Sequence, residues 1–420
     1  MENKGKIYAA HKNAFIFSCF FAWLIYVSAY LGRINLSITI PYLQNEQGFT
    51  KAALGILASG FFCTYAAGQL VNGVLGDRIQ VRYFISLGLL VSGLCNILFC
   101  IFPVFPLMFI AWSLNGYFQS MLWGPLLRTV TEHVPKKNLN WGMGLMSTSP
   151  IIGHFLAYVV TGRLAVFWRW EAAFMVPGFF LVIMAFLWFR FFPGIIAGAG
   201  SQGSNNNSTK NKVSFFSLLK EKRFSAFIIG SRLYIMVFLG LFIGIVKEGL
   251  TLWAPVIFTE LYSLKMEQML SVMSLLPLVN LLFILIGGML IRKYWKDVKY
   301  TILLFLFTGL AAVFLVWRIP DMAFTAVTVL FYVLMASIST GSNQMTAFLP
   351  VRFAERGLVS AAAGIIDSSI YLGAAVAGPL VGAAAEVLGW NGIFGGIFFV
   401  CIAAFFTASL LKGSVEEPIP

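Results

Sequence analysis

Residues Arg33 to Lys51 read RINLSITIPYLQNEQGFTK, and residues Lys247 to Lys265 read KEGLTLWAPVIFTELYSLK. An offset of 214 positions (247 − 33) aligns the two segments without a gap, and near the end of each half the offset becomes 220 (373 − 153). The pairs that match are Arg33/Lys247, Leu36/Leu250, Pro41/Pro255, Glu46/Glu260, Lys51/Lys265, Gly73/Gly287 and Arg78/Arg292, then Gly144/Gly364, Gly153/Gly373, Gly162/Gly382, Trp170/Trp390 and Phe174/Phe394. The chain therefore consists of two related halves, each with a cation eight residues before a proline.

The composition is that of a membrane protein. The chain has 420 residues, of which 59% are hydrophobic and 11% are charged. A soluble domain has about half apolar and about a quarter charged residues. The first apolar segment follows Lys4, Lys6 and Lys12 and is longer than the apolar core of a signal peptide, so we expect it to serve as the first membrane span.

Apolar segments long enough to cross a hydrocarbon core of about 30 Å can be counted along the chain. We place twelve, at 14–43, 50–76, 83–102, 105–131, 139–165, 169–192, 224–259, 266–291, 299–317, 321–349, 357–387 and 391–412. They form two groups of six: an N-terminal half (1–193) and a C-terminal half (224–420), joined by a flexible Gly/Ser/Asn-rich linker (194–223). The prediction is an all-α integral membrane protein, and parallel repeats of this kind are typical of transporters that rock around a central site.

The basic residues fall in alternate loops. Loops on the amino-terminal side of the predicted membrane hold twenty Lys and Arg residues, and loops on the opposite side hold five. By the positive-inside rule we expect both termini in the cytoplasm of a multi-pass protein of the bacterial cytoplasmic membrane. A net charge of +13 distributed in this way does not indicate a nucleic-acid partner.

Two cations lie deepest in the predicted spans, Arg33 and Lys247. A cation at a helix centre costs about 2.5 to 3.5 kcal/mol, so it requires a partner or a water-filled cavity. Because the two occupy equivalent positions in the repeats, we expect them to face one cavity and to bind an anion with roughly two negative charges. The alternative is a pair of ion bridges to Glu248 and Asp367.

Further polar residues fall within the spans. Tyr26 and Tyr30 precede Arg33 by seven and three residues and share its helical face, so their hydroxyls can reach a ligand, or their rings can pack between spans. Gln69 and Tyr371 are further candidates for substrate binding, with interhelical hydrogen bonding as the alternative.

The segment GVLGDRIQVRY, from Gly73 to Tyr83, is expected to form a loop after the second span. Asp77 with Arg78 and Arg82 can form a charged latch that holds one conformation closed. A solvated turn is the alternative. Arg128, at the cytoplasmic end of the fourth span, is expected to shape a gate.

Three longer stretches resemble a known family. The segment Tyr30-Leu31-Gly32-Arg33-Ile34-Asn35 followed by Pro41-Tyr42-Leu43, the stretch GYFQSMLWGPLLRT at residues 116–129, and Tyr371-Leu372-Gly373 with Gly389-Trp390-Asn391-Gly392 are similar to signatures of the organophosphate:phosphate antiporters of the major facilitator superfamily. The similarity covers nearly the whole chain outside the linker. The fourth-span signature is specific to this group, whereas the Gly-Asp-Arg loop alone indicates only the superfamily.

The resemblance implies roles for individual residues. The phosphate-binding cations of the family fall on Arg33 and Lys247, and its site tyrosines fall on Tyr26, Tyr30 and Tyr371. This chain departs from the family at three positions: the seventh-span cation is a lysine, a second-span lysine of the glycerol-3-phosphate members falls on Gln69, and the fifth-span histidine falls near Pro150. His154 follows four residues later and is expected to face elsewhere.

Three functions are compatible with these residues. The leading hypothesis is a monomeric transporter that exchanges a small organic phosphate for inorganic phosphate. The second is a proton-coupled symporter of organic carboxylates, with Glu248 or Asp367 carrying the proton. The third is a transporter-like membrane sensor of sugar phosphate.

The sequence does not indicate an enzyme. The chain has three His and neither a P-loop nor a nucleophile elbow. No cofactor is expected, and the five cysteines, which include no CxxC, predict no metal site.

Overall fold

The computed structural model describes residues 2–134, 138–199, 233–294, 297–319, 322–349 and 359–411. All regular structure within these ranges is helical. In chain order the helices are α1 (Glu2–Leu31), α2 (Asn35–Gln47), α3 (Lys51–Arg78), α4 (Val81–Ile101), α5 (Phe105–Gln119), α6 (Trp123–His133), α7 (Leu139–Leu156), a π-helical turn (Ala157–Thr161), α8 (Gly162–Phe167), α9 (Ala172–Ala199), α10 (Leu233–Tyr262), α11 (Met266–Lys293), α12 (Val298–Arg318), α13 (Phe324–Phe348) and α14 (Val359–Ser409). Most of the predicted linker, from residue 200 onward, lies outside the described residues.

Ten helical stretches of the described chain are long and apolar enough to cross a membrane. One of them, Ala362–Ser409, has 48 residues, and at about 1.5 Å per residue it is more than twice as long as a hydrocarbon core is thick. Its backbone turns at Gly389, where φ is 64°, a value that glycine adopts readily, so it supplies two crossings. The pair α5 and α6, broken at residues 120–122, supplies one more, and the total agrees with the twelve predicted spans.

Several helix ends carry capping residues. The backbone groups at a helix end have no hydrogen-bond partner within the helix, and the caps supply one. The Thr50 side chain accepts a hydrogen bond from the backbone N–H of Ala53 at the start of α3. Asp297 caps α12 in the same way through the N–H of Lys299. Gly48 ends α2 with φ 69°, in the left-handed region. These caps lie at short connections, such as residues 48–50 between α2 and α3.

The segment Gly73 to Tyr83, predicted as a loop, is largely helical. Helix α3 continues through Arg78 and α4 begins at Val81, so only two residues join them. Ile79 and Gln80 have extended backbones. The expected loop is therefore wrong in extent, because no residue before Ile79 ends the helix.

The two halves meet along glycine-rich surfaces. Helix α3 packs on α14 and α2 packs on α10. A methyl group on Gly378 would lie 2.6 Å from the carbonyl oxygen of Gly55, and one on Gly382 would lie 2.6 Å from that of Lys51. Only glycine permits backbones to approach this closely, as is common where membrane helices pack. The close approach brings the two repeats into contact around a central cavity.

Candidate functional site

A cavity of about 60 Å³ lies between the two halves. The polar side chains that line it are Tyr30, Arg33, Ser37, His154, Lys247, Glu248, Thr251 and Tyr371. The structure thus places Arg33 and Lys247, one cation from each half, in the wall of a single cavity.

Arg33 lies where the first span breaks. Helix α1 ends at Leu31 and α2 begins at Asn35, and between them the N–H groups of Arg33 and Ile34 donate to the carbonyl of Tyr30. A methyl group on Gly32 would lie 2.7 Å from Cδ1 of Leu181 and 3.0 Å from Nδ2 of Asn96, so the glycine lets this turn pack closely on α9 and α4. The break turns the Arg33 side chain toward the cavity and leaves the Gly32 carbonyl free of the helical ladder.

The guanidinium of Arg33 is held in one orientation by neutral partners. Its Nε donates to Oε1 of Gln119 at 2.9 Å, and its Nη1 donates to the hydroxyl of Tyr371 at 3.4 Å. The rings of Tyr30 and Tyr65 lie 4.8 and 4.5 Å from the guanidinium carbon, within cation–π range. The side chain is only 9% exposed, and Nη2 is buried with no hydrogen-bond partner among the described residues. The charge is therefore oriented but not neutralised by an adjacent acid.

A buried amide network behind the site holds Gln119. Its Nε2 donates to the Gly32 carbonyl at 3.1 Å and to Oδ1 of Asn115 at 3.2 Å. Asn115 and Asn96 also donate to the Gly32 carbonyl, at 2.9 and 3.3 Å. In the sequence Gln119 stands out only as part of the fourth-span stretch GYFQSMLWGPLLRT at residues 116–129, with no role of its own. The signal that could have identified its role was the repeated occurrence of Asn and Gln in otherwise apolar spans.

Lys247 differs from Arg33 because it is paired. Its Nζ donates to Oε1 of Glu248 at 2.7 Å, and the two side chains are 30% and 13% exposed. The alternative of ion bridges therefore holds for Lys247 but not for Arg33, whose described hydrogen-bond partners are an amide and a phenol.

His154 lines the cavity, so the expectation that it faces elsewhere is wrong. Residues four apart on a helix lie on nearly the same face, which places His154 close to the direction of Pro150. Its Nδ1 lies 2.8 Å from the Pro150 carbonyl oxygen, which can only accept, so Nδ1 carries the proton and Nε2 is left for the cavity. The imidazole ring lies 4.5 Å from the ring of Tyr30.

Three other predicted residues are not in the cavity wall. Tyr26 is buried behind Tyr30, with its ring 4.6 Å from that of Trp123, because Arg33 follows a break and no longer shares the helical face of Tyr26. Gln69 lies one turn beyond Tyr65 on α3, and its Nε2 is buried with no described partner.

Asp367 is the third. It lies one turn before Tyr371 on α14, and its carboxylate interacts electrostatically with Lys247, Arg33 and Glu248. It is therefore near the charged group without lining the cavity itself.

The predicted latch is described only in part. The side chains of Asp77 and Arg78 lie outside the described set. Arg82 donates to the carbonyl of Phe189 at 2.8 Å and stacks on its ring at 3.9 Å, so its described contacts join α4 to α9. Arg128 donates to Glu132 at 2.7 Å and to the carbonyl of Gly76 at 2.9 Å, which ties α6 to α3 within the first half.

A cluster that sequence reasoning missed joins the halves at one end of the bundle, which we call the Lys51 end. Lys51 Nζ lies 2.7 Å from Oε2 of Glu260, and this oxygen also accepts a hydrogen bond from Nε1 of Trp390 at 2.8 Å. The backbone N–H of Lys51 donates to Glu386 at 2.8 Å. In the sequence, Lys51 and Glu260 are notable only as matching positions of the two repeats. Their contact could not be predicted because it depends on how the two halves pack.

The other inter-half hydrogen bonds of the described chain lie at or near the cavity. They join Arg33 to Tyr371, Ser37 to the carbonyls of Thr251 and Leu252, and Ser368 to the carbonyl of Ala66. Together with the contacts of the Lys51 end, they join the two halves of the described chain.

Comparisons with known proteins agree with this architecture. The model of the Major Facilitator Superfamily matches residues 22–366. A probable hexose phosphate transport protein of Chlamydia trachomatis is 25% identical, over 89% of this chain and 85% of the relative. A glycerol-3-phosphate transporter of Bacillus subtilis is 25% identical over 95% and 93%. The membrane sensor protein UhpC of Escherichia coli is 22% identical over 95% and 91%.

The fold also matches solved structures. A bacterial homologue of the human lysosomal transporter Spinster, in an inward-facing and occupied conformation, superposes with a TM-score of 0.72. The match covers 94% of this chain and 96% of the other, with 13% identity. At this identity the likeness concerns the arrangement of helices alone.

Proposed function

We propose that this chain, which belongs to the Major Facilitator Superfamily, is a secondary transporter of a small organic phosphate ester, which it exchanges for inorganic phosphate. The observation that carries the proposal is the Arg33 guanidinium, held in a cavity between the halves with Nη2 unused. A planar guanidinium fits the oxygens of phosphate, and a buried cation without an acidic partner favours an anionic ligand. Relatives named as hexose phosphate and glycerol-3-phosphate transporters support this substrate class.

Alternating access follows from binding at the boundary between two halves. The ligand contacts Arg33 of one half and Lys247 of the other, so it stabilises the states in which both lie close to it. The hydrogen bonds at the Lys51 end support a state that is closed on that face. The positive-inside rule assigns that face to the periplasm, with both termini in the cytoplasm. The protein acts as a monomer and performs no chemistry on its substrate.

Exchange in reconstituted vesicles tests the proposal. Proteoliposomes loaded with inorganic phosphate are given labelled glucose 6-phosphate or glycerol 3-phosphate, and uptake is compared with that of vesicles without internal phosphate. We expect uptake that depends on internal phosphate and persists when the proton gradient is collapsed. Failure to exchange any phosphorylated solute contradicts the proposal.

Glu248 supports a second candidate, the proton-coupled symport of carboxylates. An acid in contact with a cavity cation at 2.7 Å can gain a proton when a substrate anion takes its place on Lys247. In the vesicle assay this mechanism predicts uptake that follows the proton gradient and ignores internal phosphate. A sensor, as the name of the Escherichia coli relative suggests, predicts phosphate-ester binding without uptake.

Replacement of Gln119 by leucine tests how Arg33 is held. We expect affinity for phosphate esters to fall about tenfold, because Arg33 Nε loses its buried acceptor and the guanidinium is released from its orientation. Gln119→Glu is the informative companion, since its carboxylate pairs directly with Arg33 and lowers affinity further. Binding is measured by isothermal calorimetry in detergent. If Gln119→Leu binds as well as wild type, the amide network does not position Arg33.

A further inference from the structure

The wall of the cavity carries a negative charge beside its two positive ones, which is unexpected for a site that takes only an anion. Arg33 and Lys247 bring two positive charges, and Glu248 brings a negative charge into the same wall. The formal sum over these three side chains is +1 (2 − 1).

Lys247 is not freely available to a phosphate. Its ammonium is in direct contact with Glu248, and an anion that approaches it must compete with a carboxylate that is already in place. A ligand that carries only negative charge meets one uncompensated cation, Arg33, and is repelled by the carboxylate of Glu248. Removing water from such a cavity strengthens both effects.

Glu248 retains capacity for a second partner. One of its oxygens accepts from Lys247, and no described residue donates to the other. The side chain is only 13% exposed, yet it lines the cavity. A cation placed there gains a charge-assisted hydrogen bond in a largely buried setting.

We propose that the ligand is zwitterionic: a phosphate ester that also carries a protonated primary amine. This inference rests on the proposed transport of phosphate esters. The phosphate, with one to two negative charges, lies between Arg33 and Lys247, and the ammonium binds Glu248. Each charged group of the ligand then has an opposite charge of the protein beside it.

The polar side chains between the cations fit this arrangement. The hydroxyl of Tyr371 already accepts from Arg33 and can donate its own proton to a phosphate oxygen. The hydroxyl of Tyr30 belongs to the same wall, has no described hydrogen-bond partner and can donate to a phosphate oxygen. Nε2 of His154 carries no proton and can only accept, so it suits a hydroxyl or amine of the ligand, and Glu248 remains the charged acceptor for the ammonium.

A set of three matched ligands tests the inference on the wild-type protein. Glucosamine 6-phosphate, glucose 6-phosphate and N-acetylglucosamine 6-phosphate differ at one carbon, which carries an amine, a hydroxyl or an uncharged amide. Binding is measured by calorimetry at about pH 6.5, where the amine is protonated. We expect the amine to bind about tenfold more tightly than the other two, as a charge-assisted hydrogen bond provides. Phosphoethanolamine against glycerol 3-phosphate repeats the comparison with smaller ligands.

If the inference holds, Glu248→Gln changes the affinities for the amine and hydroxyl ligands in opposite directions. The substitution removes the acceptor for the amine and frees Lys247, so glucosamine 6-phosphate is expected to bind about tenfold more weakly while glucose 6-phosphate binds several-fold more tightly. Glu267→Gln is the matched control, because Glu267 is exposed at the start of α11 and does not line the cavity. It is expected to leave both affinities unchanged.

The outcomes are separable. If none of these ligands binds, the proposed phosphate-ester function is wrong. If the amine and hydroxyl ligands bind equally well to wild type, transport of phosphate esters stands and the zwitterion inference is overturned. It is also overturned if Glu248→Gln weakens both ligands alike, or if the variant only abolishes a pH dependence of glucose 6-phosphate uptake, which would assign Glu248 to proton coupling.

Discussion

Arg33→Lys is expected to lower affinity for a phosphate ester by about 100-fold or more, although the charge is kept. Removing one partner of a buried charged contact costs about 2 to 5 kcal/mol, and each 1.4 kcal/mol is about tenfold in affinity. A lysine cannot donate to Gln119 and at the same time present a planar pair of donors to phosphate. It also loses stacking on the ring of Tyr65. Calorimetry with glucose 6-phosphate and vesicle exchange both measure this loss.

Arg163→Lys is the matched control for this substitution. Arg163 lies on the short helix α8 and is exposed, so the same chemical change there is expected to leave binding and exchange intact. Thermal unfolding of both variants shows whether the helix bundle is retained. Near-normal exchange by Arg33→Lys would mean that a point charge suffices and that the oriented guanidinium is not what recognises the ligand.

Gly55→Leu is expected to reduce the rate of exchange by about 100-fold. The substitution impairs the change between conformations and leaves the affinity for the substrate unchanged. A methyl group on Gly55 would already lie 2.7 Å from Cα of Pro379, and the neighbouring Gly378 backbone is closer still. Because this contact joins α3 to α14, a leucine side chain holds the halves apart at the Lys51 end. The protein then stays in states open on that face, and the Lys51–Glu260 ion pair cannot form.

Spin labels measure the separation directly. Gln47 and Leu261 are equivalent positions in the two repeats (261 − 47 = 214) and are exposed at the Lys51 end. The labels are attached to cysteines at these two positions after exposed Cys63 is replaced by serine. We expect a longer distance in Gly55→Leu than in the parent protein.

Gly396→Leu provides the control, because a side chain at Gly396 meets no described atom within 4 Å. Unchanged distances together with normal exchange in Gly55→Leu would show that this glycine contact does not govern closure of the Lys51 end.

The fold followed from patterns that are local in the sequence. Hydropathy and the 214-residue repeat predicted an all-α bundle of two halves, and the helices and the family match confirm that class. The resemblance to organophosphate:phosphate antiporters is confirmed by the relatives. Helix boundaries were harder, as at Arg78 and Ala199, because a helix continues through polar residues when nothing in the chain stops it.

The site was predictable only where symmetry or helical spacing fixes a direction. Equivalent positions in two repeats are enough to bring Arg33 and Lys247 to one cavity. Helical spacing predicted that Tyr26 shares the face of Arg33, and this is wrong because the helix ends at Leu31, before Arg33. His154 was misjudged because four residues along a helix were treated as a change of face.

The sequence by itself determined that two cations enter the membrane at matching depths, since burial of charge is visible in composition and spacing. Only the tertiary structure decided what each cation does there. Lys247 is satisfied by Glu248, its neighbour in the chain, whereas Arg33 is oriented by Gln119 and Tyr371, which lie 86 and 338 residues away. Such partners depend on how separate helices pack, and a charge inside a membrane is governed by its nearest neighbours in space because little water is present to screen it.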